Sequence, residues 1–147
     1  MTTRDAARGP VRLMPLVVVT LVNYVAQVPY YLHNDYSAQH LFPGLRAVAL
    51  LGVTLAWFAV GLAGFRRGRR WGLPVLVSFL VTEAVFYGAT IATGIFLLQL
   101  ANPSYLIKAV FVIGYVSGGV AACYSLLLIR RRPRRDPQAR GSTVTAG

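Results

Sequence analysis

Glu83 is the only acidic residue inside a long apolar stretch of this chain; the other three acids, Asp5, Asp35 and Asp136, fall in polar segments. A carboxyl group within hydrocarbon is expensive and marks a functional site by default. Around it, in sequence terms, stand Asn23 and Gln27, Thr54, Tyr87, Tyr115 and Ser117, with two cations, Arg46 and Lys108. Counting about 1.5 Å of rise per residue from the helix ends on the more basic side puts Glu83 about 18 Å deep. The same count puts Asn23 at about 17 Å, Thr54 at about 18 Å, and Tyr115 and Ser117 at about 20 Å. Polar groups from four segments are thus expected at one depth.

The spacing predicts which faces carry them. Thr20, Asn23, Gln27 and Tyr30 step by three or four residues, as do Glu83, Tyr87, Thr90 and Gly94, so each set forms one helical stripe. A third stripe runs through Lys108, Phe111, Tyr115, Gly118, Ala122 and Ser125, and a fourth through Arg46, Leu50, Val53 and Trp57 with Thr54 alongside. If these faces point inward, Arg46 and Lys108 lie one to two turns beyond Glu83 and reach it only by their long side chains. Two chemistries fit. Glu83 exchanges a proton or a cation in a site lined by Asn23, Gln27 and Tyr115, or a neutral Glu83 bonded to Asn23 or Tyr115 ties the helices together. The latter contributes about 0.6–2 kcal/mol per bond.

The elements that must position these residues follow from composition. Of the 147 residues 56% are apolar and 13% charged, with a mean hydropathy of +0.57. Soluble domains carry about 25% charged residues, so this balance argues against a soluble fold. Four stretches reach the roughly 20 apolar residues needed to span a bilayer: about 13–32, 45–65, 71–98 and 105–129. Backbone groups in lipid must be satisfied internally, which makes all four helical. The basic residues before the first stretch resemble a signal peptide, but the stretch is too long and too polar for one, so it is expected to be a helix that kinks or ends near Pro29. Short links favour an all-α, up-down-up-down four-helix bundle over residues 11–132. Residues 1–10 and 133–147 are polar and read as disordered cytoplasmic tails.

Charge sets the expected orientation. Of fifteen Lys and Arg residues, three precede the first span, four lie at 66–70 and six follow the fourth span. Placing those thirteen on one side predicts both termini in the cytoplasm of a multi-pass cell-membrane protein. The arginines at 66–70 and 130–135 are expected to meet anionic lipid headgroups, each attracted by about 1 kcal/mol. The membrane placement accounts for this basic charge without nucleic acid.

Other chemistry finds little purchase. His33, Asp35 and His40 match no standard metal-ligand spacing, and no histidines sit within facing spans to hold a haem, so no metal or cofactor is expected. Cys123 is alone, which excludes an internal disulfide, and reads as a small packing residue. No nucleophile and base share a depth, so an enzyme is not expected. Gly114 and Gly118 form a small-residue seam, as do Ala84, Gly88 and Ala92, and the glycines of GLAG at 61–64 read as helix-packing positions. The seams serve packing within the chain, within a homo-oligomer or within a larger membrane complex.

Four short helices around one buried Glu form a plan similar to that of the small multidrug resistance transporters. In that family the acid lies in the first helix, the chain is shorter, and dual-topology members need a near-zero charge bias. The similarity is architectural, and no residue role carries over. The reading favoured by sequence is a non-catalytic structural or accessory membrane subunit, for want of a second buried charge or clearly broken helices. The alternative is a small proton- or cation-coupled transporter or channel using Glu83.

Overall fold

The computed structural model describes residues 11–33 and 44–131, and all regular structure there is helical. The elements are α1 (Met14–His33), α2 (Gly44–Arg66), α3 (Gly72–Ala92), α4 (Ile95–Ala101) and α5 (Tyr105–Arg130). Four of them, all but α4, are long and apolar enough to cross a membrane, as expected of a multi-pass membrane protein. Only 17% to 33% of each apolar window is buried within the chain, so lipid or another chain must meet the remaining apolar surface. The tails at 1–10 and 133–147, Asp35 and His40, and the side chain of His33 lie outside the described residues.

One helix over 71–98 is not what forms. Gly94 adopts φ +75°, a left-handed conformation that costs glycine nothing, and its N–H bonds the Ile91 carbonyl to close α3. Its own carbonyl then accepts from Leu97 and opens α4. The apolar run hides this break because no proline marks it and Thr93, the polar residue beside Gly94, bonds back to its own helix. By contrast α1 runs through Pro29 to His33, giving up only the bond the Val25 carbonyl would accept.

The turn between α2 and α3 is built by its glycines. Gly68, at φ +65°, donates to the Phe65 carbonyl at 3.1 Å while Arg69 donates to Gly64 at 2.9 Å, the paired bonds of a Schellman cap. Gly61, Gly64 and Gly72 then let the two helices touch. A Cβ on Gly61 would lie 2.8 Å from the Leu76 backbone, and one on Gly72 would run into the backbone of Gly64 and Phe65. Across the chain, Ser104 caps α5 by accepting from Ile107, and Asn102 accepts from Ser104 at 2.9 Å.

The four long helices close a ring of contacts, α1 on α2, α2 on α3, α3 on α5 and α5 on α1, with α1 on α2 the thinnest seam. Along the bundle the interior changes character. Near the α2–α3 turn it is apolar, with Leu13, Leu16, Phe58, Leu76, Phe79, Leu80, Ala121 and Leu128 buried together. Above these lie the buried polar residues Thr20, Asn23, Glu83 and Ser117. Toward α4 the packing is between aromatic rings, Tyr30 against Phe111 and Tyr115 against Tyr87 and Phe96, with Phe111, Tyr115 and Phe96 only half-buried.

Gly114 and Gly118 face Tyr87: a Cβ on Gly118 would lie 2.7 Å from the tyrosine Cβ, and one on Gly114 2.7 Å from its hydroxyl. That seam therefore packs α5 on α3 within one chain. Gly88 is exposed and meets nothing within 4 Å, Ala92 is exposed, and Ala84 is half-buried, so their ridge faces outward. Cys123 is exposed, contrary to a packing role. Ala gains about 1 kcal/mol over Gly in either helix, so steric room alone separates two substitutions. Gly118→Ala is expected to destabilise the bundle by about 1–3 kcal/mol and Gly88→Ala not at all, measured as reversible unfolding in mixed micelles.

Candidate functional site

The site is assembled from side chains of α1, α3 and α5 whose backbones are already fixed by apolar packing on either side. Asn23, almost fully buried, stands at its centre. Its amide Nδ2 lies 3.0 Å from Glu83 Oε1, 3.2 Å from the Tyr87 hydroxyl and 3.3 Å from Ser117 Oγ. Three acceptors share two N–H bonds, so one of the bonds is bifurcated, with Glu83 the closest acceptor. Ser117 Oγ donates to the same Oε1 at 2.5 Å. On the other side, Gln27 Nε2 donates to Asn23 Oδ1 at 2.9 Å and to the Tyr87 hydroxyl at 3.3 Å. Tyr87 in turn donates to Asn23 Oδ1 at 3.3 Å.

Both donors to the carboxyl converge on Oε1. Oε2 is buried and makes no hydrogen bond within the described residues. An oxygen accepting two donors behaves as the carbonyl-like or anionic atom, leaving Oε2 as the atom to carry a proton or meet a cation.

Glu83 also lines a cavity of about 260 Å³ between α1, α2 and α3. This is just under the roughly 300–1,000 Å³ of drug-sized sites, which suits a small occupant. Aromatic rings dominate its walls: Tyr24 and Tyr31 from α1, Trp57 from α2, and Phe79, Phe86 and Tyr87 from α3. Trp57 meets Phe79 edge-on at 5.8 Å, and Tyr24 packs on Phe79 at 6.3 Å. Leu50, Thr82 and Phe86, also in the wall, are exposed on the outside of the bundle, so the cavity reaches the surface between helices. It forms where α1 and α2 pack least.

Of the residues singled out by sequence, Asn23, Gln27, Glu83, Tyr87 and Ser117 come together. Thr54 lines the cavity, but its hydroxyl is satisfied by the Leu50 and Leu51 carbonyls of its own helix. Tyr115 touches Tyr87 through its ring, 5.6 Å between centroids, while its buried hydroxyl finds no partner among the described residues and lies outside the Glu83 network. Lys108 places its ammonium over the Tyr105 ring at 5.7 Å, and Arg46 is exposed. Neither cation forms an ion pair with Glu83, the only acid among the described residues.

Two of the expected faces are rotated. On α5 the buried positions are Val110, Gly114, Ser117, Gly118, Ala121, Ser125 and Leu128, so Ser117 joins the site and Phe111 and Tyr115 turn aside. On α2 Leu50 and Val53 are exposed, whereas Ala47 and Phe58 are buried. Of the aromatic walls, Tyr87 and Trp57 stand in the expected stripes, whereas Tyr24, Tyr31, Phe79 and Phe86 are absent from the sequence-based candidates. A signal was available for two of them: Tyr24 adjoins Asn23, and Phe86 follows Glu83 by three.

No protein-family model, curated protein or solved structure matches the chain. The fold and site therefore define the class on their own: a bundle of four candidate membrane helices around one hydrogen-bonded acid and an aromatic cavity.

Removing the Ser117 hydroxyl deletes one bond to Glu83, so Ser117→Ala is expected to cost about 0.6–1.7 kcal/mol of stability. Tyr115→Phe removes a hydroxyl that makes no bond within the described residues and is expected to cost none. The contrast is read by the same mixed-micelle unfolding.

Proposed function

We propose that the chain is a multi-pass protein of the cell membrane, its four long helices crossing in alternate directions with both termini cytoplasmic, and that it is a non-catalytic carrier binding small cations in exchange for a proton on Glu83. The observation that carries this reading is the unpartnered Oε2 of a buried acid that lines an aromatic cavity. A carboxyl serving only to join helices would be expected to engage both oxygens. Here Asn23 and Ser117 hold Oε1 and orient the group, and Oε2 is left to bind. When Glu83 is ionised, a cation balances its charge and the aromatic faces add about 0.5–2 kcal/mol of cation–π attraction. When the cation leaves, a proton takes its place on Oε2. Exposed wall residues support entry from the lipid side.

Orientation rests on the thirteen basic residues gathered at the termini and at 66–70. In a Cys123→Ala background, Ser37→Cys is expected to react with an impermeant maleimide added outside intact cells, and Arg67→Cys only after the membrane is opened.

An accessory-subunit role is favoured by a different observation: Asn23 ties α1 to both α3 and α5. Glu83→Gln separates the two readings, because its amide oxygen still accepts from Asn23 and Ser117 while the exchangeable charge is gone. The carrier reading expects purified protein in lipid to bind benzyltrimethylammonium but not neopentylbenzene, its uncharged isostere. Binding should release a proton and convert the Glu83 carboxyl band to carboxylate in the infrared. Glu83→Gln should fold normally and lose all of this. Equal binding of the two probes, or binding that survives Glu83→Gln, refutes the carrier.

A further inference from the structure

A second cleft lies at the opposite functional pole of the bundle, where α2 turns into α3 and α1 begins. It encloses about 570 Å³ and is lined by Val11, Leu13, Phe65, Arg66, Leu73, Leu128 and Arg131. Its two chemistries are segregated. Leu13 and Leu128 belong to the buried core, and Val11, Phe65 and Leu73 pack against that core, so the floor is continuous with the apolar interior. Arg66, the last residue of α2, and Arg131, which caps α5, bring two guanidinium groups to its rim from different helices.

The backbone does not supply the field here. Two helix starts, α1 and α3, and two helix ends, α2 and α5, meet at this cleft, so their terminal dipoles oppose one another. What remains is the charge of the arginines above an apolar slot, at the end that also carries Arg67, Arg69, Arg70 and Arg130. A free phosphate would use the arginines and leave the floor unused. A neutral lipid would use the floor and leave the arginines unused. A ligand with one phosphate and one acyl chain uses both, and guanidinium groups bind phosphate oxygens bidentately.

We infer that this cleft is a binding site for one anionic phospholipid, its phosphate between Arg66 and Arg131 and an acyl chain over Leu13, Leu73 and Leu128. The site is separate from the Glu83 cavity and depends on the carrier reading only for membrane placement. Headgroup attraction spread over a basic surface would engage all the exposed arginines alike. A built site would engage these two.

The test uses the full-length protein purified in neutral detergent, with lipid binding followed by native mass spectrometry. Phosphatidylglycerol is titrated against phosphatidylcholine of the same chain length, and sn-glycerol 3-phosphate supplies the headgroup anion without a chain. The expected result is one tightly held phosphatidylglycerol, with weaker binding of phosphatidylcholine and none of glycerol phosphate. Replacing both Arg66 and Arg131 by Gln is expected to lower phosphatidylglycerol affinity about 30-fold. Replacing Arg67 and Arg69 by Gln removes the same charge outside the cleft and is expected to change it less than threefold. Equal losses in the two double variants would overturn the site in favour of diffuse surface attraction. Binding of glycerol phosphate as tight as that of the lipid would make it a free-anion site instead, and equal binding of phosphatidylcholine would make it an apolar groove.

Discussion

A carboxyl group in the middle of an apolar bundle has to be met by donors, and Asn23 meets this one from α1 as Ser117 does from α5. The Asn23 amide joins α1 to Glu83 and Tyr87 on α3 and to Ser117 on α5, and its carbonyl receives Gln27 and Tyr87. Lipid offers no competing water, but neither does it reward apolar helix contact, so close packing and polar bonds decide which helices associate. Asn23 therefore helps fix register as well as satisfying an acid. Slide α1 by one residue against α3, and the amide leaves the carboxyl for an apolar wall.

The network requires close helix approach, which the glycines provide. Tyr87 lies flat against Gly114 and Gly118, and any side chain there would push α5 away and carry Ser117 out of reach of Glu83. At the other end, Gly61, Gly64 and Gly72 bring α2 against α3. Between α1 and α2 no such glycine contact exists among the described residues, the seam is thin, and the cavity opens there.

How much of this was legible in the sequence depended on whether a helix carried contrast. On α1 the few polar residues, Thr20, Asn23 and Gln27, stand out against an apolar background, and Thr20 and Asn23 are indeed buried. On α2 nearly every residue is apolar, so no period exists to read. There Ala47, Phe58, Gly61 and Gly64 are buried, while Leu50 and Val53 face out together with the small residues Ala49, Gly52, Ala56, Ala59 and Ala63. On α5 the eye follows Lys108, Phe111 and Tyr115, but Gly114, Ser117 and Ala121 are the residues that point in. In a bundle surrounded by lipid, large apolar side chains lose nothing by facing outward, so hydrophobicity alone does not mark the interior. The break at Gly94 is hidden for a related reason: an isolated glycine in an apolar run looks like packing, and only its positive φ makes it a terminus.

The asymmetry of Glu83 is the feature that a purely architectural account leaves over. Asn23 comes from α1, across the ring from α3, and Ser117 from its neighbour α5, yet both address Oε1, and Tyr87 and Gln27 donate to Asn23 rather than to the acid. The donors thus brace one oxygen from two sides and fix the plane of the carboxyl. A group held this way can exchange what sits on its other oxygen without disturbing the helices, because the bracing bonds survive in either protonation state. In the proposed carrier, stability and exchange fall to different atoms of one side chain, so that one acid knits the bundle together and binds the cation.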